Sequence, residues 1–275
     1  MNIRVTAYIV GTAAVVALLV AQRVAGQEGR SGVAAGANLQ LIDDLVVGNR
    51  ILANENVLDG LGHISVRHDR NPNRFLLARD VAPALVTAGD LIEYDLDGNP
   101  VGDKRQGYQE RYIHAAIYKA RPDVQSIVHA HTPSVLAFAN SSIPLRPVYH
   151  MAAFLAGGVP NYEIRKVQGS TGMLVNSNPL GAALAQALGD KAVALMRGHG
   201  VVIVGPTIPE AVSRSIFLDV NARVQIQAMS LGGTVSFLGG PDVAPPAPTP
   251  GQQGPPATGG VSRSWLFWKQ RAMGQ

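Results

Sequence analysis

Residues 191–205 read KAVALMRGHGVVIVG. Two short apolar runs, Ala192–Met196 and Val201–Val204, flank a Gly198-His199-Gly200 turn. A run that is apolar at every position, rather than at every second one, describes a strand with neither face in water. The segment therefore reads as buried strand, turn and strand, and the rest of the chain must enclose it. With 275 residues the chain can do so as one large domain or two small ones.

Other elements follow from periodicity. In Asn38–Gly60, Leu41, Leu45, Val46, Ile51 and Leu52 recur at helical spacing. HISVRHD and RFLLARDV read as strands, and DLIEYDLDGNPV as a strand entering a hairpin at Asp97-Gly98-Asn99. YQERYIHAAIYKARPDV is a helix with Ile113, Ala116, Ile117 and Ala120 on one face and Pro122 past its end. VQSIVHAH is a strand, Pro133 to about Asn140 a helix, and PLGAALAQALGD another. The last long helix starts at TIPE, where Thr207 and Glu210 can form a capping box.

Helices and strands thus intermix through residue 238, giving one domain over 38–238. Residues 239–260 are dominated by Pro, Gly and Ala, the composition of a linker. The tail, 261–275, carries WLFWKQR. It is expected to dock on a neighbouring subunit; the alternative is an interfacial membrane anchor with Trp265, Phe267 and Trp268 beside Lys269 and Arg271.

At the other end, MNIR supplies positive charge, Val5–Val20 is apolar, and AQRVAGQ offers small residues for cleavage. Residues 1–26 read as a signal peptide, with an uncleaved anchor as the alternative, and the domain is expected to work outside the cytoplasm, in a bacterial periplasm. The formal charge of +4 owes two units to Arg4 and Arg23 of that segment. No dense basic patch with interleaved aromatics remains, so nucleic acid is not an expected partner. The chain contains no cysteine, which excludes disulfides, a thiolate nucleophile and a Cys-type zinc site. A metal here must be held by histidine and carboxylate.

Candidate ligands exist. Residues i and i+2 of a strand share a face, so His129 and His131 project together. They can hold a metal, or they can be a hydrogen-bonded structural pair. His199 stands at a strand end between two glycines, either as a third ligand or as an ordinary turn histidine. Three histidines there make a site with an open fourth position, the form of catalytic zinc. Glu110, early in the helix before the His-Ala-His strand, is a fourth candidate, although a lone helical glutamate is usually a solvated one. His114, one turn on, reads as a packed, hydrogen-bonded histidine rather than a ligand.

GLGHISVR (Gly60–Arg67), QERYIHAAIYKARPDVQSIVHAHTPSVLAFA (Gln109–Ala139) and MRGHGVVIVG (Met196–Gly205) resemble, in order and spacing, the class II aldolase/adducin family over residues 38–235. The resemblance implies an α/β fold, a three-layer α/β/α sandwich with a central, largely antiparallel sheet. It implies that His129, His131 and His199 bind a divalent metal, usually zinc, and that Glu110 is the acid/base glutamate; three histidines with a carboxylate accept manganese as well. It also implies a homotetramer with sites near subunit borders.

An enolate left by C–C cleavage is stabilised by such an ion, and a carboxylate beside it can move protons. The expected activity is a metal-dependent carbon–carbon lyase acting on a small hydroxy-carbonyl or hydroxy-acid molecule, by aldol cleavage or decarboxylation. Sugar-phosphate members carry an Asn where this chain has His63, a Thr-Gly phosphate loop where it has ARDVAP, and a Ser-Ser pair where it has Tyr108-Gln109. Those replacements argue against a phosphorylated substrate. The GHIS form resembles the decarboxylase branch, in which Arg79, His63 and His150 could meet a substrate carboxylate. Two alternatives are a sugar-phosphate aldolase or epimerase, and an adducin-like scaffold, which would be expected to have lost the ligands.

Overall fold

A computed structural model describes residues 36–169, 172–243 and 259–274. The expected signal peptide and most of the expected linker lie outside those residues. Seven strands and seven helices are described: α1 (Leu39–Asn54), β1 (His63–Arg67), β2 (Arg74–Ala78), β3 (Leu91–Asp95), α2 (Arg111–Ala120), β4 (Ser126–Ala130), α3 (Pro133–Ala139), β5 (Asn161–Tyr162), α4 (Arg165–Gln168), α5 (Asn178–Leu188), β6 (Val193–Met196), β7 (Gly200–Gly205), α6 (Ile208–Ser230) and α7 (Gly259–Ala272). Four short 3-10 turns complete them.

The strands form one sheet in the order β3-β2-β1-β4-β7-β6-β5. Every neighbouring pair is antiparallel except β5–β6. Val193–Met196 and Val201–Val204 are buried throughout, as continuous apolar runs require. Helices cover both faces. Ile64 of β1 faces α1 and α6: a side chain added at Gly48 of α1 would lie 3.1 Å from Ile208 and 3.4 Å from Ile64. Ser65, one position along, points the opposite way and meets His114 and Tyr118 of α2. Behind α2 lies α5, and the two approach so closely that a Cβ at Gly181 would stand 2.4 Å from the Tyr112 carbonyl. The three-layer α/β/α sandwich with a largely antiparallel sheet is therefore present.

Three local expectations are corrected. The helix read from Tyr108 begins only at Arg111, leaving Glu110 as its N-cap residue. Thr207 accepts from the Glu210 amide, but the Glu210 carboxylate turns to Arg214 at 3.1 Å, so only half of the capping box forms. The tail docks on its own chain: α7 buries Trp265 and Trp268, with the Trp268 ring 5.7 Å from Phe217 of α6. Arg271 pairs with Glu55 at 3.3 Å, past the end of α1. The aromatic face that suggested a neighbour or a membrane is largely used inside the molecule, although Leu266 and Phe267 remain exposed. Among the described residues no helix is long and apolar enough to cross a membrane.

Candidate metal centre

Sheet order brings the histidines together. β4 lies between β1 and β7, with His63 opposite His129 in register. His129 is the penultimate residue of β4 and His131 lies just past its end. The β6–β7 turn places His199 beside them. Gly198 has φ +70°, a conformation few side chains adopt. Gly200 permits the contact itself: a Cβ there would lie 2.3 Å from the Ala130 carbonyl and 3.1 Å from His131. The two glycines around His199 are thus the condition for its approach to the pair.

The four side chains converge. His131 Nε2 is 3.1 Å from His129 Nε2, and Glu110 Oε2 is 3.3 Å from His129 Nε2 and 3.2 Å from His199 Nε2. One ligand atom from each residue lies within 4.8 Å of the others. Ligands on a tetrahedral zinc, with bonds of about 2.0–2.1 Å, stand roughly 3.3 Å apart. The spacing therefore fits a divalent cation. The outer nitrogens agree with it. His129 Nδ1 donates to the Val201 carbonyl at 3.1 Å and His131 Nδ1 to Asp59 at 3.1 Å. Each donation puts the ring proton on Nδ1 and leaves a lone pair on Nε2, facing the cluster. His199 Nδ1 is buried and has no hydrogen-bond partner among the described residues.

Glu110 is held at both ends. Its Oε1 accepts the Val175 amide at 2.9 Å, which leaves Oε2 for the cluster. Burial opposes its ionisation, but His129 and His199 outweigh that and hold its carboxyl well below the ordinary range. Burial, with His129 beside it, pushes His131 down, so its neutral, ligating form is favoured. Asp59 is also held low: partial burial works against it, and the Leu61 and Gly62 amides and His131 prevail.

The cluster opens into a cleft of about 470 Å³ lined by His63, Tyr108, Gln109, Leu61, Leu174 and three acids, Asp59, Asp80 and Glu110. Among the described residues neither lysine nor arginine lines it. His63 is there as expected. Arg79 is not: its guanidinium is held by Asp90 at 2.7 Å, and it does not line the cleft. His150 is exposed in the 3-10 turn at 150–155, against Tyr149, and does not reach the cleft either. Sequence reasoning missed Asp59 and the Val175 clamp. Asp59 accepts from the Leu61 and Gly62 amides at 2.9 and 2.8 Å, so the DGLG stretch carried a turn signal.

Comparison with known proteins places this geometry. Residues 43–226 match the family model described as Class II Aldolase and Adducin N-terminal domain. The decarboxylase tropJ of Talaromyces stipitatus is 38% identical over 210 residues, covering 71% of this chain and 79% of that one. The 3,4-dihydroxyphthalate decarboxylase of Arthrobacter keyseri is 36% identical over 213 residues, covering 71% and 81%. A solved aldolase II superfamily protein from Pseudomonas syringae has the same fold, with a TM-score of 0.69 at 24% identity over 88% of this chain and 95% of that one. With a sheet, cluster and sequence of this kind, the chain belongs to the class II aldolase/adducin family.

Proposed function

We propose that the chain is a metal-dependent decarboxylase of small, non-phosphorylated hydroxy-aromatic acids. It is an enzyme of the carbon–carbon lyase type, and its family uses a divalent metal. His129, His131 and His199 are the residues that would hold the ion, with Glu110 at its edge. Zinc suits three imidazoles and a carboxylate, and manganese is accepted by the same set. When bound, the ion supplies positive charge for the oxyanion that accompanies loss of CO₂.

The protein's own residues supply the rest. Ionised Glu110 takes the proton of a substrate hydroxyl on Oε2, while Val175 fixes Oε1. It returns that proton to the ring carbon as the bond to CO₂ breaks, and the product oxygen is reprotonated from water. Tyr108, Leu61 and Leu174 offer an apolar and aromatic wall for a ring.

The observation that carries this reading is the cleft's charge. Among the described residues, three acids and no lysine or arginine line it. The terminal dianion of a sugar phosphate, remote from the metal, would face these acids without the Thr-Gly loop and Ser-Ser pair that sugar-phosphate members carry. An acid with its carboxylate beside a hydroxyl can place both at the metal. The named activities of the two relatives point the same way. The test is to load the protein with zinc or manganese and offer 2,3-dihydroxybenzoate, 3,4-dihydroxyphthalate and L-fuculose 1-phosphate, reading CO₂ and aldehyde separately. CO₂ from an aromatic acid is expected; aldehyde from the sugar phosphate without CO₂ from either acid sinks the reading.

Export and tetramer formation belong to the same proposal. The apolar segment at Val5–Val20 supports the first. Exposed Val224, Ile226 and Leu231, at and just beyond the end of α6, support the second. A mature mass that still includes residues 1–26 would contradict cleavage, and a monomeric sedimentation coefficient would contradict assembly.

A further inference from the structure

A line of short hydrogen bonds runs from α2 to the cleft. Tyr118 Oη is 2.8 Å from Ser65 Oγ, Ser65 Oγ is 2.6 Å from His114 Nδ1, and His114 Nε2 is 2.7 Å from His63 Nδ1. All four side chains are buried, none more than 2% exposed. His63 alone reaches the cleft, with its ring centroid 5.2 Å from that of His129. Two periodicities build the line: His63 and Ser65 share a face of β1, and His114 and Tyr118 are one turn apart on α2.

The line has a direction, and its far end sets it. Tyr118 has two oxygens in reach, Ser65 Oγ at 2.8 Å and the Gln125 carbonyl at 3.4 Å. Hydrogen bonds between oxygens lie at about 2.5–3.0 Å, so the carbonyl is a poor acceptor. It also already accepts the Arg67 amide at 2.8 Å. Tyr118 therefore donates to Ser65, and Ser65 donates its own proton to His114 Nδ1. Burial holds His114 neutral, its pKa pushed down to about 3, so its one ring proton sits on Nε2 and is donated to His63 Nδ1. His63 then carries its proton on Nε2, on the side of the cleft.

We propose that Tyr118, Ser65 and His114 are positioning residues that fix the tautomer of His63, and that His63 Nε2–H is the donor that binds the substrate's carboxylate. The identity of that anion rests on the decarboxylase reading; the tautomer does not. His129 and His131 cannot fill this role, because their Nδ1 protons are committed to Val201 and Asp59. Arg79 and His150 lie elsewhere. A neutral donor also spares the neighbouring cation site the repulsion that an arginine would bring.

Ring-labelled ¹⁵N-histidine NMR of the full chain reads the tautomer directly, with the His63 signals assigned by their loss in His63→Gln. His63 is expected as the Nε2–H form in the wild type and as a mixture in Ser65→Ala, with Ser65→Thr restoring the wild-type pattern. Binding of 2,3-dihydroxybenzoate and of catechol, which lacks the carboxylate, to the zinc-loaded protein then reads the consequence. Ser65→Ala weakens the acid about tenfold or more and leaves catechol within about twofold. An Nδ1–H tautomer in the wild type overturns the proposal, as does equal weakening of both probes. If neither probe binds the wild type, the decarboxylase reading fails, and the His63 tautomer still decides the fate of the hydrogen-bonded line.

Discussion

His63 and His129 oppose one another across the β1–β4 ladder, on the same face of the sheet. Both are buried, and each makes a hydrogen bond through Nδ1. At that atom they differ. His129 gives its Nδ1 proton to a carbonyl, so its Nε2 turns a lone pair toward the centre of the cluster, where a cation would sit among Glu110, His131 and His199. His63 takes a proton at Nδ1 from His114, so its Nε2 offers an N–H. The partner of the hidden nitrogen thus decides whether the exposed one can hold a metal or bind an anion. Burial alone does not distinguish them; what lies behind each ring does.

The comparison breaks most completely if the ligating side is removed. His129→Ala takes away one of three imidazoles, and kcat/KM should fall by about three orders of magnitude or more, with metal lost in elemental analysis. Activity retained at the wild-type level would take His129 out of the site. Glu110→Gln keeps the shape but removes the proton carrier. Metal should stay, and kcat should drop about 10²- to 10⁴-fold; an unchanged kcat would dismiss Glu110 as acid and base.

Asp59→Asn sharpens the ligating side by weakening the group behind His131. Metal affinity should fall about 10- to 100-fold in a competition titration with a chromogenic chelator, with the fold unchanged by circular dichroism.

The donor side sharpens through pH. Buried His114 has its pKa pushed down to about 3, against about 6.5 for a free imidazole. A base with a lowered folded pKa binds fewer protons in the folded state than in the unfolded one between those values. Its contribution is therefore intact above about pH 6.5 and is lost as pH falls toward 3, by up to about 1.4 kcal/mol per pH unit. Burial and its neighbours lower His63 in the same sense. Urea midpoints of the metal-free protein should drop from pH 7 to pH 5, and less so in His114→Gln; equal slopes would mean that His114 is not held neutral. The smallest effects belong to Arg79→Ala and His150→Ala, each expected to leave kcat/KM within about twofold. A tenfold loss from either would place it at the substrate after all.

Local periodicity carried much of this. The i, i+2 rule put His129 and His131 on one face, and the Gly-His-Gly turn drew attention to His199. Glu110 was a candidate from its place just before the His-Ala-His strand, but its acid/base role came from the family resemblance, because nothing local marks an N-cap glutamate as special. The groups behind the ligands were not legible in this way. Asp59 meets His131 across 72 residues and Val175 meets Glu110 across 65, distances that only the sheet order closes. Arg79 was misplaced for a similar reason: Asp90, 11 residues on, captures its guanidinium through a turn that strand alternation does not foresee. The His63 line could have been found, since His63 and Ser65 share a strand face and His114 and Tyr118 a helix face. What the sequence withheld was that those two faces meet.

The central claim is that His129 and His131 of one strand end and His199, 68 residues on, hold one divalent ion beside Glu110. Calorimetric titration of zinc into the metal-free protein tests it most directly. About one tight site per chain is expected in the wild type, and none of comparable affinity in His131→Ala. A wild type that takes up no ion, or a variant that binds it equally well, would contradict the account.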